Sequence, residues 1–183
     1  MVTFAAFLRA INVGGHTVRM ETLKRTFESL GFANVQTFIA SGNVVFETTV
    51  ADEGRLTRTI ERGLRETLGY DVATFLRSDT ELRRIADHRS FPRVTRDASV
   101  SDYIVFLAAP PPATVTRKVA ALAGKEHEFE ARGREVYWLR HRIDGVPFSA
   151  VPLEKALGVP FTVRGLNTVA KMADKFCTRK ARP

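Results

Sequence analysis

A guanidinium, two side-chain amides, a hydroxyl, an imidazole and a glycine pair fall within two short stretches of this chain, Arg9 to His16 and Ser41 to Asn43. Together they are equipment for holding an anion. Arg9 offers a forked donor suited to phosphate or carboxylate. Successive backbone N–H groups at Gly14 and Gly15 can point into one concavity, and Asn12, His16, Ser41 and Asn43 add polar groups around it. Neither GxxxxGK[ST] nor GxGxxG is present. The same residues also suit plain turn chemistry: glycine for positive φ, asparagine for satisfying loop amides.

The elements needed to bring these stretches together are written in the hydrophobic pattern. Val2–Arg9 reads as a strand. Met20, Leu23, Phe27 and Leu30 recur at helical spacing until Gly31. Ala33–Ala40 reads as a second strand, Ser41–Asn43 as a tight turn and Val44–Thr49 as a third strand. Leu56, Ile60, Leu64 and Leu68 then mark an amphipathic helix that Gly69 ends. Asp71–Arg77 is a fourth strand, and Asp79 is expected to cap a short helix reaching Asp87.

This β-α-β-β-α-β order is the ferredoxin-like split βαβ pattern. After a stretch with Pro92 and no apolar period, the order starts again. Asp102–Ala109 reads as a strand, Pro111–Ala123 as a helix, and His127–Ala131 with Glu135–Arg140 as a hairpin about Gly133. Val151–Leu157 is a short helix, Phe161–Arg164 a strand, and Asn167 or Thr168 is expected to cap a final helix. The expectation is an α+β protein of two ferredoxin-like halves, each an antiparallel sheet with helices on one face. Their limits are 1–88 and 101–183, with a linker at 89–100 and an extra helix at the C-terminus. Each sheet would have one open face to bury. Strands one and two of such a plait run parallel, so the 12–16 loop and the 41–43 turn are expected to touch.

The stretches Leu8-Arg9-Ala10-Ile11-Asn12-Val13-Gly14-Gly15 and Ser41-Gly42-Asn43-Val44-Val45-Phe46 closely resemble the two N-terminal signatures of the DUF1697 family. Asp144-Gly145 with Ser149, and Thr162-Val163-Arg164 with Asn167-Thr168-Val169, resemble its C-terminal ones. Gly165-Leu166 stand where the family commonly has Asn-Trp, and Phe148 stands where a basic residue is common. The resemblance implies a bacterial-type α/β protein with ferredoxin-like halves. It brings no activity, cofactor or catalytic residue. It makes Ser149, Arg164, Asn167 and Thr168 a second candidate cluster.

Other chemistry finds less support. His16, His88, His127 and His141 are scattered, Cys177 is the one cysteine, and no metal site is expected. Glu126, Glu128 and Glu130 alternate along one strand and read as a charged edge that discourages pairing with other chains. GxSxG and HExxH are absent. Phe4 or Phe7 with Phe46 sit where an RNA-recognition fold displays stacking rings, but the strand lacks the accompanying cations, so core packing is expected.

Net charge is +8, with 14 Lys/Arg against 8 Asp/Glu in residues 98–183 and 14 against 12 in residues 1–97. That asymmetry keeps nucleic acid open as a partner, through Arg83, Arg84, Arg89, Arg93, Arg96 and the Lys171–Arg182 tail, without favouring it. The longest apolar stretch, Tyr103–Val115, is too short to span a bilayer. One cysteine and no signal-like start fit a cytoplasmic protein. The expected function is non-catalytic binding of a small anionic or phosphorylated ligand at Arg9, Asn12, Gly14, Gly15, His16, Ser41 and Asn43, with no cofactor. An enzyme using the same edge is the further alternative.

Overall fold

The computed structural model describes residues 1–12, 17–143, 147 and 149–177. The chain divides into two compact units, Met1–Ala86 with Ala170–Pro183, and Asp87–Val169. The first holds β1 (Val2–Leu8), α1 (Met20–Ser29), β2 (Ala33–Thr37), β3 (Asn43–Thr48), α2 (Glu53–Leu68), β4 (Thr74–Ser78) and α3 (Asp79–Asp87, ending at the unit boundary). Its antiparallel strands lie in the order β2-β3-β1-β4. The second holds β5 (Val100–Leu107), α4 (Ala113–Ala120), β6 (His127–Arg132), β7 (Glu135–His141), α5 (Val151–Leu157) and β8 (Phe161–Gly165), in the matching order β6-β7-β5-β8. A final helix, α6, runs from Leu166 to Phe176. Both halves are ferredoxin-like, as their element order demands.

In the first unit the helix-facing residues of the sheet, Phe4, Ala6, Leu8, Val44, Phe46 and Leu76, pack against Leu23 and Phe27 of α1 and Leu56, Ile60 and Leu64 of α2. Phe4, Phe7 and Phe46 are all buried, so they serve the core and present no stacking surface. The long helix is closed at both ends. Asp52 accepts from Arg55 N at 2.9 Å, and Gly69 takes φ 81° beyond the last turn. The opposite sheet face, with Ala5, Phe7, Val45, Phe75 and Arg77, is buried as well.

Several element ends differ from the sequence expectation, each for a local reason. The second strand stops at Thr37 because Phe38 N turns to Asn43 O and Ile39 becomes left-handed. The cap of α3 is Ser78, not Asp79. Ser78 N donates to Glu81 Oε2 at 3.0 Å and Glu81 N donates to Ser78 Oγ at 3.3 Å, a reciprocal capping box. In α6, Leu166 follows Gly165 directly into helix, so Asn167 and Thr168 lie inside it and cap nothing. The 89–100 stretch is an organised loop of the second unit, not a free linker. Arg96 gathers it, donating to Ser90 O, Phe91 O and Val94 O while pairing with Asp102.

From Ala170 onward the last helix belongs with the first unit, where the sequence reading had assigned it to the second. Arg83 on α3 explains this: it pairs with Asp174 at 2.9 Å and donates to Ala173 O and Cys177 O. A cation set against the carbonyl end of a helix is favourable in both charge and hydrogen bonding.

Ser78→Ala removes half of the capping box and is expected to lower stability by about 0.5–2 kcal/mol, read as the urea midpoint. Asp79→Ala should cost less; a larger loss there would return the cap to Asp79.

Candidate functional site

The end of the first sheet is where the two motif stretches meet. At the end of β1, Leu8 N donates to Gly42 O at 2.8 Å, and just beyond it Arg9 N donates to Ala73 O at 2.9 Å. The chain leaving β1 is thereby held between the β2–β3 turn and the entry to β4. A Cβ at Gly42 would lie 2.8 Å from both Ile11 Cβ and Ile11 Cγ1, and Gly42 has φ +72°. Only glycine lets the two stretches approach this closely. Asn12 then ties them: its Nδ2 donates to Ala40 O at 2.8 Å, and its Oδ1 accepts from Val18 N at 2.6 Å. One amide thus joins the start of the loop, its return and the neighbouring turn.

The backbone here is held in unusual conformations. Ala10, Asn12 and Ile39 are left-handed, with φ 59°, 56° and 50°; Asn34 and Phe91 complete the non-glycine residues with positive φ among those described. Such conformations cost on the order of 1–3 kcal/mol each and persist where surrounding structure enforces them. Ile39 is the extreme case, β-branched and 53% exposed.

Of the expected site residues, Gly14, Gly15 and His16 lie outside the described residues. Arg9 and Ser41 are half-buried at the edge. Asn43 is fully buried, and its Nδ2 donates to Phe38 O at 3.0 Å and to Ser41 Oγ at 2.9 Å. It builds the turn. One contributor could not be read locally. Phe176 meets Phe38 edge-on at 6.0 Å, and Lys175 Nζ stands 6.0 Å from the Phe38 ring centroid. The last turn of α6 therefore sits at the base of the same turn, a placement that no neighbouring sequence announces.

The second candidate cluster separates into different environments. Ser149 is exposed, and its Oγ accepts from Val151 N at the start of α5. Arg164 is buried and donates to Thr162 Oγ1 at 2.7 Å and Val163 O at 2.8 Å. Burial lowers its pKa to about 10, which leaves it cationic at neutral pH. Asn167 lines an open groove of about 460 Å³ with Val100–Tyr103, Gly165 and Leu166. Thr168 lies in the first turn of α6. Asp144 and Gly145 are outside the described residues.

Several charges elsewhere are engaged in ion pairs. Glu126, Glu128 and Glu130 each meet a basic partner: Arg140 at 2.7 Å, His141 at 3.0 Å and His88 at 2.9 Å. No group of metal-binding side chains occurs among the described residues. Burial pushes the Cys177 thiol up to about 11, so it stays protonated and weakly nucleophilic. Arg83 and Arg96, two of the cations proposed to meet nucleic acid, are engaged in the folds of their own units. His127 Nδ1 accepts from the buried Trp138 indole N–H at 3.1 Å, and burial lowers its pKa below the ordinary 6.5.

The second unit supplies an internal control. Leu107 N donates to Arg134 O at 2.9 Å, the counterpart of Leu8 N to Gly42 O. The registers align Phe7 with Phe106, Leu8 with Leu107 and Arg77 with Arg164. At this alignment Arg9 corresponds to Ala108, Asn12 to Pro111, Gly42 to Arg134 and Asn43 to Glu135. The plait therefore closes there with a different set of residues, Ala108, Pro111, Arg134 and Glu135.

The family model described as a protein of unknown function (DUF1697) matches residues 1–137, and the chain belongs to that family. Among solved structures, the conserved bacterial protein SP0830 from Streptococcus pneumoniae is similar over 96% of this chain and 98% of its own, at 21% identity and a TM-score of 0.69. That likeness shows the fold. No curated protein matches the chain. Among the described residues, no helix is long and apolar enough to cross a membrane.

Gly42→Ala is expected to destabilise the protein by about 1–3 kcal/mol through strain and the clash with Ile11. Gly69→Ala, also at positive φ but with nothing within 4 Å of the new methyl, should cost less, about 1–2 kcal/mol from the backbone strain alone. Equal urea midpoints for the two variants would remove the packing argument.

His127 generates a pH prediction. With its folded pKa depressed, the unfolded chain binds the proton more readily. The contribution is full above pH 6.5 and is lost as pH falls through the lower folded value. Stability of the wild type relative to His127→Gln, followed by Trp138 fluorescence in urea, should shrink from pH 8 to pH 5. A constant difference would show that the histidine does not titrate against folding.

Proposed function

We propose that the protein binds a small anionic ligand, phosphorylated or carboxylated, at the edge between the end of β1 and the β2–β3 turn. The reading is of binding without catalysis. The comparison between the halves carries it: the same backbone bond closes both plaits, yet only the first half has Arg9, Asn12 and Gly42 around it. A plait of this kind can close without these residues, since the second half has Ala108, Pro111 and Arg134 at the matching positions.

The local chemistry suits an anion. Arg9 is half-buried beside Ala73 and the loop start. Its guanidinium has five donors in a fixed fork, enough to serve the fold and a ligand together. The helix entered after the loop, α1, has Arg19 at its cap position with no side-chain hydrogen bond to its first amides. Both features favour a negative group near this end of the sheet in the proposed reading. The glycine pair and His16 would complete the concavity in this proposal. A cytoplasmic setting belongs to the same proposal, supported by the single cysteine. So does a bacterial origin, supported by the similarity to a bacterial protein.

The test is titration calorimetry with inorganic phosphate, sulfate and simple carboxylates, alongside thermal melts. Arg9→Ala should weaken whichever anion binds by roughly 1.5–3 kcal/mol, the range for hydrogen bonds to charged groups. The melting temperature should hold, because β1 rests on Phe4, Phe7 and Leu8. A variant that melts early while binding is unchanged would make Arg9 a structural residue. Absence of binding by every anion would end the proposal.

A further inference from the structure

The last turn of α6 brings a second cation to the edge just described. Lys175 is exposed, and its Nζ lies 4.9 Å from the Phe176 ring centroid and 6.0 Å from that of Phe38. Phe38 is fixed at the base of the turn, its N donating to Asn43 O and its O accepting from the Asn43 amide. The ammonium is therefore held by the same hairpin end whose Gly42 O receives Leu8 N.

Strand alternation places Arg9 and Lys175 on related ground. Asn43 pairs with Phe7 across β3 and β1, and Phe38 pairs with Asn43 across β2 and β3. Phe38, Asn43 and Phe7 thus share one face of the sheet, and Arg9 follows Phe7 by two residues, on that same face. Between β2 and β1 lies one strand, and Arg9 lies two residues further along, so the Phe38 and Arg9 positions are about 12 Å apart. Lys175 stands at the β2 side of the turn, and the Arg9 position lies at the β1 side. The nearest carboxylate on the helix, Asp174, is engaged by Arg83 at 2.9 Å and does not compete strongly for Lys175.

We propose that Lys175 is a specificity-determining residue of this edge, and that the two flanking cations select a ligand with two linked anionic groups, of the diphosphate class, over a single phosphate. This rests on the binding reading above. A compact ligand reaches Arg9 alone, whereas one with a second anionic group also reaches the ammonium. The cation–π contacts that hold Lys175 are weak at an exposed position. The ammonium keeps its hydrogen-bond donors while resting on the rings, so it can serve a ligand at little cost.

The experiment compares inorganic pyrophosphate with inorganic phosphate by calorimetry at fixed ionic strength, using wild type, Lys175→Gln and Lys175→Arg. Wild type should bind pyrophosphate more tightly than phosphate. Lys175→Gln should weaken pyrophosphate about tenfold and change phosphate by no more than about twofold, and Lys175→Arg should restore most of the loss. Thermal melts of the three proteins should agree. If the wild type binds both anions and Lys175→Gln leaves their ratio unchanged, the role of Lys175 is overturned while the site survives. If the wild type binds neither, the site itself falls and this inference with it.

Discussion

Everything in the first unit hangs on β1 lying between β3 and β4. A strand paired on both sides spends its backbone donors and acceptors in the ladder, and its side chains can be apolar on both faces. Phe4 to Leu8 meets that condition, each residue being buried. The helix that follows must cross over the sheet to reach β2, which leaves a gap that β3 fills. That crossover makes β1 and β2 parallel and puts the exits from both at one end. Repetition of the same constraint around β5 gives the second unit its identical strand order. The juxtaposition of two motifs far apart in sequence is a consequence of this central strand.

What was legible in the chain follows from how local the cause is. The helical repeat of Leu56, Ile60, Leu64 and Leu68 carries its own signal, and so does Gly69, which ends α2 as expected. The S-x-x-E pattern at Ser78–Glu81 is equally local, but Ser78 and Asp79 are adjacent and both are good cap types, so only the hydrogen bonds separate them. Strand ends were harder. Nothing in Phe38-Ile39-Ala40 marks the end of β2, since these residues favour extended structure and the bend there is imposed by Asn43. The placement of the last turns of α6 was not legible at all, because Arg83 sits some ninety positions before its partners.

The candidate site divides along the same line. The meeting of Asn12 with the Ala40–Asn43 turn was deducible from topology alone. The division of labour within it was not. Asn12 and Asn43 looked alike as polar loop residues, yet Asn43 is buried within its own turn and Asn12 bridges two segments. Only hydrogen-bond partners separate a residue that builds a turn from one that joins two. The positive charge of the chain is likewise a poor guide by itself, since Arg83, Arg96 and Arg140 are each engaged inside their own unit.

The left-handed residues at the sheet end bear most directly on purpose. A tight turn can be made from glycine without strain, and this chain uses glycine freely at Gly31, Gly69, Gly133 and Gly158, all at positive φ. At the motif edge it places Ala10, Asn12 and Ile39 in the same conformation instead, where a side chain is disfavoured. The second unit shows that the plait closes through Leu107 and Arg134 with no such arrangement, among the described residues, in the segments flanking that bond. A cost accepted in one half and avoided in the other is not a cost of the fold. It belongs to the shape of that one edge, where the bridging amide of Asn12 ties the end of β1 to the neighbouring turn.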